Sequence, residues 1–70
     1  MKYTRTEPRN GYELITTVDD KGNYTQHIKW DDGKTDLKHK STVQEMGWTD
    51  TQSFLRSRPN FVKEGENNGI

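Results

Sequence analysis

Between Gly11 and Lys40 the chain alternates like β-structure and is interrupted twice by an acidic, glycine-bearing loop: Asp19-Asp20-Lys21-Gly22 and Asp31-Asp32-Gly33-Lys34. Side chains on a strand point to opposite faces in turn, so alternation sorts them into two sets. Tyr12, Leu14, Thr16 and Val18 share one face of a first strand; Tyr24, Gln26, Ile28 and Trp30 share one face of the next. Asp20-Lys21-Gly22 suits a three-residue hairpin loop with glycine in the left-handed position. That loop pairs Val18 with Tyr24, Leu14 with Ile28, and Tyr12 with Trp30, and gathers the large residues on one side. Asp32-Gly33 suits a two-residue turn. It pairs Trp30 with Thr35 and Ile28 with Leu37, which brings Leu37 to the same apolar face. Glu13, Lys29 and Asp36 then form a ladder of alternating charge on the opposite face. Residues 11–40 are expected to form a three-stranded antiparallel meander with Leu14, Ile28, Trp30 and Leu37 buried.

The acidic loops also raise the question of metal binding. A calcium loop of the helix-loop-helix type places acidic residues at alternate positions before its glycine, with a distant glutamate. Neither loop has that spacing. Aspartate and glycine are suited to these positions because they tolerate turn conformations. The loops are read as turns, and no metal or cofactor site is expected.

From Ser41 the pattern changes. Ser41-Thr42-Val43-Gln44 and Thr49-Asp50-Thr51-Gln52 each place a hydroxyl residue three positions before glutamine, a capping-box pattern. Gly47 stands where a first helix should stop, and Pro59 where a second should. The spacing predicts a short helix from about Thr42 to Met46 and another from about Asp50 to Arg58. Val43, Met46, Phe54 and Leu55 would face the sheet, with Phe61 tucked in after the proline. The expected fold is α+β: a three-stranded antiparallel β-meander with a short broken helix, a helix-turn-helix-like pair, packed on one face. Residues 1–10 read as a flexible lead-in or an edge strand, 11–62 as the single small domain, and 63–70 as a disordered tail.

Composition narrows the function. Hydrophobic residues are 26% of the 70 and charged residues 31%, a ratio that lies toward disorder. Three tyrosines, two tryptophans and two phenylalanines supply enough bulky surface for a small core. There is no cysteine, and so neither a disulfide staple nor a thiolate zinc site. No apolar run approaches the length of a membrane span, and a cytoplasmic protein with no membrane partner is expected. Eleven basic residues balance eleven acidic ones. Nucleic-acid binders usually carry a basic surplus, so this balance argues against such a role. Zero net charge also eases self-association, and a thin helical cover buries little, so a homodimer is expected to be accessible.

Thr42–Pro59, TVQEMGWTDTQSFLRSRP, resembles the helical half of phage excisionase-like regulators. The resemblance implies a helix-turn-helix that docks on DNA. The chain departs from that pattern at Ser53, where the motif wants an apolar core residue and Phe54 comes one step late. A capped helical hairpin on a sheet accounts for the same residues. His27 and His39 are assigned to opposite faces, Glu13 and Glu45 are isolated, and no paired acid and base stands out, so no enzyme is expected. Lys34, Lys38, His39 and Lys40 read as a solvated strand edge whose charges deter edge pairing. Trp48 either staples the second helix or stands partly exposed. With Arg56 and Arg58 it supplies the residue types enriched at binding hot spots. The expected function is a small non-catalytic protein-binding module. In size and composition the chain resembles phage-encoded modulators or inhibitors of host proteins. The alternative is a small DNA-binding regulator built on the helical half.

Overall fold

A computed structural model describes residues 1–63. Its elements are β1 (Lys2–Arg9), β2 (Tyr12–Asp19), β3 (Asn23–Trp30), β4 (Thr35–Thr42), α1 (Thr51–Ser57) and β5 (Val62–Lys63). All strand pairs are antiparallel, in one sheet of order β4-β3-β2-β1-β5. The molecule is therefore mostly β. Five strands and one seven-residue helix replace the expected three-stranded meander and helix pair.

Of the two extra strands, β1 has a simple local cause. Residues 2–9 pair with β2 along their whole length, from Lys2 opposite Asp19 to Arg9 opposite Tyr12. Asn10-Gly11 makes the intervening two-residue loop, with Gly11 at φ 91°. Pro8 is tolerated because β5 covers only Tyr3 and Thr4, which leaves the rest of β1 as a free edge. Lys63 of the expected tail ends β5. The other tail residues lie outside the described ones.

The β2–β3 hairpin has the expected register, Val18 opposite Tyr24, Leu14 opposite Ile28 and Tyr12 opposite Trp30. Its turn is fixed by the Asp19 carboxylate, which accepts from the Lys21 and Asn23 backbone N–H groups, both at 2.9 Å, and from Asn23 Nδ2 at 2.9 Å.

The β3–β4 hairpin differs from expectation by one residue. Asp31-Asp32-Gly33 makes a three-residue loop, closed by Trp30 N donating to Lys34 O at 2.8 Å and Gly33 N to Trp30 O at 2.9 Å. Lys29 therefore faces Thr35, Ile28 faces Asp36, and His27 faces Leu37. A slip of one residue reverses every side chain. Leu37 stands on the opposite face, 58% exposed, and Asp36 joins the apolar face. There Asp36 Oδ2 accepts the Trp30 indole N–H at 2.7 Å, which gives the indole nitrogen a partner. A bulge at Lys38 restores the alignment, so that His39 faces Gln26 and Ser41 faces Tyr24.

After β4 the expected first helix is a single turn. Thr42 Oγ1 accepts from Glu45 N at 3.0 Å while Glu45 Oε1 accepts from Thr42 N at 3.0 Å, a reciprocal capping box one residue later than expected. Gly47, at φ 97°, ends it at once. So short a segment gains too few hydrogen bonds to propagate as helix. The N-cap of α1 is Asp50, which accepts from Ser53 N at 2.8 Å. Thr51, the next residue, is buried and donates its hydroxyl to Asp19 O at 2.7 Å, tethering the helix to the end of β2.

These tethers set where the core lies. Val18, Tyr24, Val43 and Phe54 are buried, with Tyr3, Met46, Trp48, Leu55 and Phe61 packed around them. Phe54 is the hub: its ring meets Tyr24 at 5.8 Å, Phe61 at 5.6 Å and Trp48 at 6.1 Å, all edge-on. Burial pushes the Tyr24 phenol above its ordinary pKa. The whole core occupies the end of the sheet nearest the Asp20-Lys21-Gly22 loop. Leu14, Ile28 and Trp30, expected to be buried with Leu37, are not part of it.

Candidate interaction surface

The register lays four cross-strand rows on the helix-bearing face. The first is Tyr3, Val18, Tyr24 and Ser41; the second is Arg5, Thr16, Gln26 and His39. The Gln26 amide donates to Thr16 Oγ1 at 3.2 Å, and His39 meets the Tyr24 ring edge-on at 5.9 Å. These two rows form the covered end, and Phe61 closes it, with the Arg5 guanidinium 5.4 Å from its ring.

The third row is Glu7, Leu14, Ile28 and Asp36. The fourth is Arg9, Tyr12 and Trp30, extended by Lys34 across from Trp30. Neither row lies under the helix. Leu14, Ile28 and Tyr12 are half-buried, Trp30 is 40% exposed, and the Tyr12 and Trp30 rings meet at 5.3 Å in a tilted arrangement, 54° between planes. The charges at the margin are ordered. Glu7 bridges Arg5 at 3.1 Å and Arg9 at 3.2 Å. Partial burial opposes ionisation of Glu7, but the two arginines outweigh it and hold the carboxyl below its usual range.

The residues singled out from the sequence lie at the opposite end. Trp48 is half-buried against Phe54. The Arg58 guanidinium lies over both rings, 5.7 Å from Trp48 and 5.6 Å from Phe54. Arg56 is exposed and donates to Ser53 Oγ at 3.3 Å. Trp48 and Arg58 are thus brought together, with the exposed Arg58 side chain lying across both rings. Beside them an open groove of about 510 Å³ runs between Leu55, Arg58 and Phe61 and the Tyr3–Val62 edge.

Glu7, Arg9 and Tyr12 were not singled out by sequence reasoning as surface residues. The signal that finds them is Asn10-Gly11, a strong two-residue hairpin mark that sets β1 beside β2. His27 and His39 stand on opposite faces, as the alternation implied. No helix among the described residues is long and apolar enough to cross a membrane. Comparison with protein-family models, curated proteins and solved structures finds no match to this chain.

Proposed function

We propose that the chain is a non-catalytic protein-binding module whose recognition surface is the bare end of the sheet. The observation that carries this reading is that Tyr12, Leu14, Ile28 and Trp30 share one face yet take no part in the core. A contiguous apolar group that the fold buries only in part is a mark of a docking surface. The residue types agree: tryptophan, tyrosine and arginine are enriched at binding hot spots, and here a contacting Tyr12–Trp30 pair has Arg9 at its margin. Trp30, held by its contact with Tyr12 and its indole hydrogen bond to Asp36, has less side-chain freedom left to lose on docking, which lowers the cost of association.

The DNA-binding alternative drew on a helix pair. The described residues contain one helix of seven residues, so a recognition helix would have no first helix to hold it against the phosphate backbone. The protein-binding reading is tested by immobilising the chain and comparing capture by wild type, Trp30→Ser, and an Arg56→Ala, Arg58→Ala double variant, with circular dichroism as the control for folding. Capture lost in Trp30→Ser alone is the expected result. Loss confined to the arginine variant assigns the surface to the Trp48 end. Capture unaffected by either change sinks both surfaces.

A further inference from the structure

The bare end has a charge pattern that selects an occupant. Its inner row reads acid, apolar, apolar, acid: Glu7, Leu14, Ile28, Asp36. Its outer row reads base, aromatic, aromatic, base: Arg9, Tyr12, Trp30, Lys34. We propose that this face is self-complementary and docks on the same face of a second copy of the chain. The twofold axis lies between the two rows and runs perpendicular to the strands. The proposal rests on the reading of the bare end as a binding face and names its partner.

The geometry follows from symmetry. Two copies stacked face to face can be related by a twofold axis along the strands or across them. An axis along the strands sets Glu7 over Asp36 and Arg9 over Lys34, which opposes like charges at all four margins. An axis across the strands, between the rows, sets Glu7 of each copy over Arg9 of the other, and Asp36 over Lys34. Leu14 and Ile28 then meet the partner's Tyr12 and Trp30. Such an interface is isologous, each contact occurring twice. Like-charge juxtaposition is strongly disfavoured at an interface, so the pattern permits the second arrangement and rejects the first. The chain's zero formal charge imposes no long-range repulsion between copies.

The face is small. Four strands about 4.8 Å apart and two rows about 7 Å apart outline roughly 300 Å² per copy. That is well under the roughly 800 Å² per partner of a stable complex. The dimer is accordingly weak and concentration-dependent, with a dissociation constant on the order of 10⁻⁴ M.

The test is sedimentation velocity of the full chain from about 10 µM to 1 mM, a range that brackets that constant. Wild type should shift from monomer to dimer across it. Arg9→Glu and Glu7→Arg should each weaken self-association at least tenfold. Their equimolar mixture should recover it, because every margin of the heterodimer then opposes unlike charges. Lys34→Glu and Asp36→Lys make the same reciprocal pair on β4 and serve if Glu7→Arg does not fold. Self-association of Arg9→Glu at or above the wild-type level overturns the proposed axis, since only the rejected arrangement is strengthened by that change. Mixtures that recover nothing overturn the pairing. Wild type monomeric at 1 mM, with a Trp30-dependent partner still captured, overturns the second copy as occupant and leaves the binding face standing. Monomeric wild type with capture indifferent to Trp30→Ser removes the binding face as well.

Discussion

Phe54→Ala should come close to abolishing the fold. The side chain is 1% exposed and its ring contacts those of Tyr24, Trp48 and Phe61. Truncating a buried phenylalanine costs about 3–5 kcal/mol. A chain of this length has a total stability of about 4–10 kcal/mol. Urea unfolding of so small a protein has a slope of about 1 kcal/mol per molar, so the midpoint should fall by about 3–5 M. Ile28→Ala is the matched control. Ile28 is half-buried and outside the core, so its truncation should cost about 1 kcal/mol, well below the cost of a core isoleucine. Both are read by circular dichroism in urea. If Ile28→Ala costs as much as Phe54→Ala, the core extends to the far end of the sheet.

Gly22→Ala should be more destabilising than Gly33→Ala by about 1 kcal/mol or more. Both glycines have positive φ, but only at Gly22 would a Cβ meet Val43 Cγ2 at 3.1 Å and Gln44 Oε1 at 2.7 Å; paired urea melts decide it. Arg58→Ala should cost about 1 kcal/mol through its lost ring contacts. Arg56→Ala should stay within about 0.5 kcal/mol of wild type in the same assay. Thermal stability should fall on acidification. At Asp19 burial opposes ionisation, but Asn23 and Lys21 outweigh it; at Asp50 the Ser53 N–H stabilises the carboxylate. Both carboxyls are held below the usual range. Their contribution is present above the ordinary carboxylate pKa and lost as pH drops through the depressed folded-state values, so Asp19→Asn should flatten the acid limb of a melting-temperature profile.

The β2–β3 hairpin was legible because turn chemistry and alternation agree: Gly22 permits one loop, and that loop aligns both apolar sets. The next hairpin was misread because Asp31-Asp32-Gly33 fits a two-residue or a three-residue loop. In the three-residue loop that forms, the Trp30 indole donates to Asp36 and the bulge at Lys38 restores the alignment. β1 was legible only as one of two readings, a lead-in or an edge strand, because apart from Tyr3 and Pro8 its residues are polar or charged, Arg5, Glu7 and Arg9 against Thr4 and Thr6, so hydrophobic periodicity carries little trace of it. The surface residues Tyr12, Leu14, Ile28 and Trp30 were assigned to the right face but to the wrong environment. Alternation says which side a residue takes, not how far a cover reaches. A seven-residue helix spans about 10 Å and an eight-residue strand about 27 Å. One short helix pinned at Asp19 by Thr51 cannot reach the other end.

The sheet is covered at one end and open at the other, and the two tryptophans report on the two ends separately. Acrylamide quenching of the single-tryptophan variants Trp48→Phe and Trp30→Phe, at low micromolar concentration and again near millimolar, tests it most directly. Trp30 should be quenched markedly more than Trp48 in dilute solution and become protected as concentration rises, while Trp48 stays unchanged. Equal protection of both rings in dilute solution would mean that Trp30 is packed within the monomer and the second end is not open.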